Sequence, residues 1–287
     1  MPSCHPATRQ RWKYSVRVSK TLFDPGLPYW QDYLPFLQNL TGRDFPTCDQ
    51  LNALLPDSLN SENGQSIRFV PSTELDEGAY EHRIYTTGKV STRPDNWHDL
   101  FNALVWMRFP RIKIAMNTLH FHAYSQQKEG RRGSLRDALT LFDECGVIVF
   151  SQRPELLDAL ARRRWSAVFQ EDLFKKDIQV AICGHAMLEK YLLPYKSMTA
   201  KALLVQVDTK HMALPREELL SYLDKQLAER LLAASALTSP ACLTPLPLAG
   251  VPGWWPDAEQ DDEFYADQQV FRPPPAQLEP TPVFNLY

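Results

Sequence analysis

Residues 97–120 read WHDLFNALVWMRFPRIKIAMNTLH, and two helices are legible in them. At 100° per residue Trp97, Leu100, Phe101, Leu104 and Met107 fall on one apolar stripe, and Ile112, Ala115, Met116 and Leu119 on another. Asp95 is the expected cap of the first helix, which runs to about Arg108, and Pro110 opens the second, which continues to about Tyr124. So short a connection favours packing of the two helices against each other. Polar side chains run beside both seams. His98 and Asn102 lie one turn apart, and Lys113, Asn117 and His120 stack at i, i+4 and i+7. The block 97–146 is therefore where an active centre is expected.

Downstream, a basic loop spans 126–133 and contains Arg131 and Arg132. Residues 139–142 and 147–150 predict a hairpin around Asp143-Glu144-Cys145-Gly146, with Gly146 at positive φ. Beyond it the pattern alternates: a helix from Pro154, a strand at 178–183, a helix at 185–193, a strand at 202–207 and an amphipathic helix at 215–232. Upstream, Leu27, Trp30, Leu34 and Leu37 have helical spacing, Thr47 and Gln50 form a capping box, and 67–70, 81–86 and 89–92 look like strands. The expected fold class is α/β (mixed α+β): a helix-covered mixed sheet with an N-terminal helical part. The last fifty residues carry ten of the 23 prolines and predict an extended Pro-rich C-terminal wrap. Residues 1–20 read as a basic arm, 21–272 as one globular domain and 273–287 as a Pro-rich tail.

Composition sets outer limits. With 287 residues, 44% hydrophobic and 23% charged, the chain is an ordinary globular protein near the upper size of a single core. A net charge of -3, with no R-G-F or helix-turn-helix signature, gives no case for nucleic acid. Five cysteines without a C-x-x-C suit a reducing compartment, and no apolar signal segment opens the chain, so a cytoplasmic location is expected. Residues 231–256 carry no charge, yet five prolines interrupt them, so no membrane span is expected. P-loop, G-x-G-x-x-G, G-x-S-x-G and H-E-x-x-H motifs are absent.

The chemistry expected of the block is that of an enzyme, hydrolase or transferase in type, acting on a small anionic metabolite. His98, Asn102, Asn117, His120 and Asp143 would supply acid–base or metal chemistry. Lys113, Arg131 and the helix start at His185 would hold the anion. Each also has a structural reading: stripe-edge Asn and His satisfy backbone groups, and acids before glycine form turns. Asp143 and Glu144 are suitable metal donors with the histidines, but their separations match no recognised ligand spacing; no metal ligand is assigned and the cofactor stays open. The H-x-H pair His120 and His122 diverges around a helix, and Cys145 has no orienting partner in sequence. The competing class is a non-catalytic protein that binds a protein partner or nucleic acid through basic loops and the aromatic, Pro-rich tail.

One resemblance covers most of the chain, from about Leu22 to Arg272. Asn96-Trp97-His98-Asp99, Phe109-Pro110-Arg111, Asn117-Thr118-Leu119-His120, Phe142-Asp143-Glu144, Gly184-His185-Ala186 and Gly253-Trp254-Trp255-Pro256 together resemble the bacterial family catalogued as domain of unknown function 3025. The resemblance implies a bacterial source and one continuous domain. It implies no activity, cofactor or catalytic residue.

Overall fold

The computed structural model describes residues 26–40, 45–75, 78–125, 133–169, 174, 176–233, 237–256 and 260–287. The 1–20 arm and residues 126–132, including Arg131 and Arg132, lie outside the described residues. A 3-10 turn at Pro28–Tyr33 leads into α1 (Leu34–Leu37). Helix α2 (Cys48–Asn52) begins with the capping box read from Thr47 and Gln50. Strands β1 (Arg68–Pro71) and β2 (Lys89–Thr92) pair in parallel across α3 (Tyr80–Thr87). Helices α4 (Trp97–Arg108), α5 (Pro110–Ser125) and α6 (Ser134–Cys145) follow, then β3 (Gly146–Ser151), α7 (Pro154–Ala161), α8 (Trp165–Val168) and β4 (Ile178–Ile182). Helix α9 (His185–Lys190), β5 (Thr199–Gln206), α10 (Thr209–Met212), α11 (Arg216–Leu232), β6 (Thr244–Pro247), α12 (Asp262–Ala266) and β7 (Val283–Asn285) complete the described elements.

The fold class is mixed α/β, a mixed sheet covered by helices. Every residue of β3 is buried, as in a strand enclosed on both faces. It pairs in parallel with β5 and antiparallel with β4. β5 is bordered in turn by β6, antiparallel along Thr199–Ala202, and by β7, parallel along Leu204–Gln206. The Pro-rich end of the chain thus supplies two strands; Pro245 and Pro247 are tolerated in β6 because nothing further pairs with it among the described residues. The N-terminal helical part is tied to the sheet by the Tyr33 hydroxyl, which donates to the Ile182 carbonyl at 2.6 Å, and by Arg216, which grips Asp32 through two nitrogens at 2.7 and 2.8 Å. No helix among the described residues is long and apolar enough to cross a membrane.

Three local expectations are corrected. Residues 81–86 are helical, since Tyr80–Thr87 turns one face, with Ile84 buried, toward the core. The expected hairpin at 139–150 is a helix followed by a strand. Ala138, Leu139 and Phe142 recur at i, i+1 and i+4 on the buried face of α6, so the helix runs through Asp143 and Glu144 to Cys145. Gly146 sits at φ -72°, in extended backbone; its need for glycine is close approach, because a Cβ there would lie 2.2 Å from the Phe142 carbonyl oxygen. Finally, Asn96 and not Asp95 caps α4: its side-chain oxygen accepts from the Asp99 N–H at 3.0 Å, while Asp95 is in the left-handed region at φ 52°.

Helix α4 packs on α5 and α9, and α5 packs on α3, α6 and α11. The start of α5 is capped from α11: Asp224 accepts the N–H groups of Arg111 and Ile112 at 3.1 and 2.9 Å.

Candidate functional site

Four helix ends meet beside α5. The first turns of α3, α4 and α9 and the last turn of α6, with His120 of α5, surround a cleft of about 420 Å³. A close backbone contact sets the meeting point. The N–H groups of Cys183 and Gly184 both donate to the Gly146 carbonyl, at 3.0 and 2.8 Å. A Cβ on residue 184 would lie 2.4 to 2.7 Å from backbone atoms of Glu144, Cys145 and Gly146. Glycine here lets α9 begin against the end of α6, so His185 comes to rest beside Asp143 and Glu144.

Among the residues expected from sequence, His98, Asn102, His120, Asp143 and His185 line the cleft. Lys113 and Asn117 are buried, at 4% and 3% exposure, and stand behind the wall. The Lys113 ammonium donates to the Asn102 side-chain oxygen at 3.0 Å and forms an ion pair with Asp143. Asn102 in turn donates to the Tyr80 hydroxyl at 2.8 Å. Asn117 donates to the Glu81 carbonyl and carboxylate at 2.8 and 2.6 Å. This part of the cluster is internally satisfied. Burial opposes ionisation of Asp143, but Lys113 and then His185 outweigh it and hold the carboxyl below its ordinary range. Burial raises the Glu81 carboxyl, with Asp143 adding to the shift.

The other part is not satisfied. The Nε2 atoms of His98 and His185 face each other at 3.0 Å, with the rings nearly perpendicular. His98 Nδ1 lies 3.1 Å from a carboxylate oxygen of Glu189, one helical turn beyond His185 on α9. His185 Nδ1 is buried and makes no hydrogen bond among the described residues; the Asp143 carboxylate lies 3.7 Å from it. Glu144 lies 3.9 Å from His185 Nε2. One donor atom each from His98, Glu144 and His185 falls within 4.8 Å of the others, the spacing of groups able to share a metal ion. Burial pushes the His185 imidazole down to about 4, so the ring is neutral near pH 7. The hydrogen bond to Glu189 raises His98 from its ordinary value.

The walls are rich in acid. Glu81, Asp99, Asp143 and Glu144 line the cleft; Arg93, also in the wall, is held by Asp99 at 2.7 and 2.9 Å. Sequence reasoning placed five lining residues and weighed Glu144 only as the companion of Asp143. It missed Tyr80, Glu81, which it put on a strand, and Glu189. The signal for Glu189 was the i, i+4 spacing from His185 on one helix face.

A family model described as a protein of unknown function (DUF3025) matches residues 67–274. Neither the curated proteins nor the solved structures contain a match to the chain.

Proposed function

The chain belongs to this family, DUF3025, and we propose that it is an enzyme, hydrolase or transferase in type, whose reaction centre is the facing imidazole pair His98 and His185. One observation carries the reading: two imidazole Nε2 atoms meet at 3.0 Å in a cleft, with the Glu189 carboxylate 3.1 Å from the far nitrogen of His98 and the Asp143 carboxylate 3.7 Å from that of His185. A carboxylate behind an imidazole fixes its tautomer and orientation and strengthens the lone pair on the opposite nitrogen. Water or an acceptor hydroxyl at that pair gives its proton to a ring nitrogen as it attacks an acyl or phosphoryl centre, and the ester oxygen leaves with that proton as the bond to it breaks. Asn102, His120 and Glu144 form the adjoining wall, and the Lys113–Asp143 pair holds the His185 side rigid. The volume of about 420 Å³ suits a small metabolite.

The competing reading, a binding module presenting its aromatic tail, has less to support it. Trp254, Phe264 and Phe271 are buried, and the chain end pairs with β5.

A panel of small phosphate and carboxylate esters, followed by NMR for product, tests the proposal. At least one compound should be turned over, with kcat/KM falling about 10²- to 10⁴-fold in His98→Gln, the range for loss of an acid–base group. If no compound is turned over, and none perturbs the signals of His98 or His120, the enzyme reading is wrong.

A further inference from the structure

We propose that His98, His185 and Glu144 form a site for one divalent transition-metal ion of the zinc kind. The inference rests on the reading of the cleft as a reaction centre, and begins from a conflict between tautomers. Glu189 accepts from His98 Nδ1, so the neutral ring carries its lone pair on Nε2, facing His185. If His185 is protonated on Nδ1, toward Asp143, its own Nε2 lone pair opposes that of His98 at 3.0 Å. If it is protonated on Nε2 instead, a buried Nδ1 lone pair is turned to a carboxylate at 3.7 Å. With both rings neutral, each arrangement leaves a costly defect in a half-buried site. A proton on His98 Nε2 or a metal cation between the two Nε2 atoms removes it, and Glu189 keeps the His98 Nδ1–H in either case.

The donor set fits such an ion. Tetrahedral zinc at bonds of about 2.0–2.2 Å puts its ligand atoms roughly 3.3–3.6 Å apart; His185 Nε2 lies 3.0 Å from His98 Nε2 and 3.9 Å from Glu144, and the three donor atoms fall within 4.8 Å of one another. The Glu144 side chain is 42% exposed and closes the remaining distance by a change of rotamer. Two imidazoles and one carboxylate select zinc, manganese, iron or cobalt over magnesium and calcium, which prefer all-oxygen sites. Three protein ligands leave a position open toward the cleft, the arrangement of a reactive centre rather than a structural one. Asp143 stays out of the ligand set because Lys113 already holds it.

The ion also accounts for the substrate class. Arg93, in the wall, and Lys113, buried behind it, are each paired with a carboxylate, Asp99 and Asp143. A divalent ion with Glu144 as its one anionic ligand adds net positive charge at the cleft floor. A small phosphate or carboxylate then finds there the charge that an acid-rich wall denies it. The sequence reading named Glu144 and the histidines as suitable donors but assigned no ligand, because 98, 144 and 185 come from three helices and share no short spacing.

The full-length chain, stripped with chelator and titrated with Co²⁺ and then Zn²⁺, gives the test. One ion per chain is expected, with visible cobalt absorption of a four- or five-coordinate site. His98→Gln and Glu144→Gln should weaken binding about 100-fold or more, and Glu189→Gln, which acts through His98, by about 10- to 100-fold with stoichiometry kept. All three side chains are at least one-third exposed, so the variants keep the fold, as thermal melting would verify. Absence of stoichiometric binding by the folded wild type overturns the assignment. So does binding indifferent to both His98→Gln and Glu144→Gln, which would move the ion elsewhere. Turnover undiminished after chelation removes the metal while leaving the enzyme; one ion held by these residues, with no turnover or ligand binding across the ester panel, leaves the metal and removes the enzyme.

Discussion

The polar cluster between α4, α5, α6 and α9 has two halves of similar composition and opposite character. In one, Lys113, Asn102, Tyr80, Asn117 and Glu81 satisfy one another. In the other, the Nε2 atoms of His98 and His185 meet at 3.0 Å with Glu144 beside them, and His185 Nδ1 has no hydrogen bond among the described residues. The difference teaches which residues form a wall and which do chemistry. A saturated group has spent its hydrogen bonds on the fold, and replacing it costs stability. A group held in place with its lone pair unspent is available to something that enters the cleft.

The largest expected effect breaks that contrast if it fails. Lys113→Met should strand the Asp143 carboxylate in a buried site and destabilise the chain by about 3–5 kcal/mol, as for other buried pairs missing one partner. His98→Gln, at a one-third exposed position, should change stability by less than about 1 kcal/mol while lowering kcat/KM by about 10²- to 10⁴-fold. Urea unfolding of the two variants measures both. Equal losses of stability would mean that the halves do not differ in kind.

A smaller effect is expected where the two halves are joined. Gly184→Ala adds a Cβ that meets only backbone, at 2.4 to 2.7 Å from residues 144–146, and no flexible side chain can yield. The start of α9 must move off the end of α6. Stability should fall by about 1–3 kcal/mol, as for overpacked cores, and the His98–His185 pair should separate. Loss of cobalt binding in this variant, with Lys113 and Asp143 still paired in its structure, would place the joint where the backbone puts it. A variant with wild-type affinity would show that α9 is free to slide.

Much of this was legible in the sequence, and the reasons are local. The rows His98/Asn102 and Lys113/Asn117/His120 follow from helical periodicity alone, and Pro110 marks the start of α5 without tertiary information. The apolar run 147–150 reads as a strand without tertiary information, within the buried strand Gly146–Ser151. What failed were segments where two periods compete. Asp143-Glu144-Cys145-Gly146 looks like a turn, yet Leu135, Ala138, Leu139 and Phe142 extend a helix through it. Chain pairing was out of reach too. Nothing local says that Lys113 belongs to Asp143, or that Glu189 stands behind a histidine 91 residues earlier, because helix packing makes those contacts.

Two largely buried carboxylates sharpen the comparison further. Asp143 and Asp224 both touch α5, but only Asp143 has a lysine partner. Asp224 is served by two backbone N–H groups, and burial still pushes it up to about 6 despite those bonds and the nearby Arg111 and Arg108. Hydrogen bonding and charge compensation are therefore separate, and pH tells them apart. Because the folded value of Asp224 exceeds its ordinary 3.8, its favourable contribution is complete below pH 4 and is lost as pH rises through 6. For Asp143, held below 3.8, the contribution is present above that value and is lost as pH falls further. Wild-type stability should thus decline between pH 4 and 6.5 by about 2 kcal/mol on account of Asp224. In Asp224→Asn that component disappears, leaving a constant penalty of about 1 kcal/mol for the N–H group the amide cannot accept. Urea titrations at pH 4.5 and 6.5 on both proteins isolate the difference from other titrating groups. An unchanged slope in the variant would mean that two backbone donors suffice to hold a buried charge, and that Lys113 is needed for position more than for compensation.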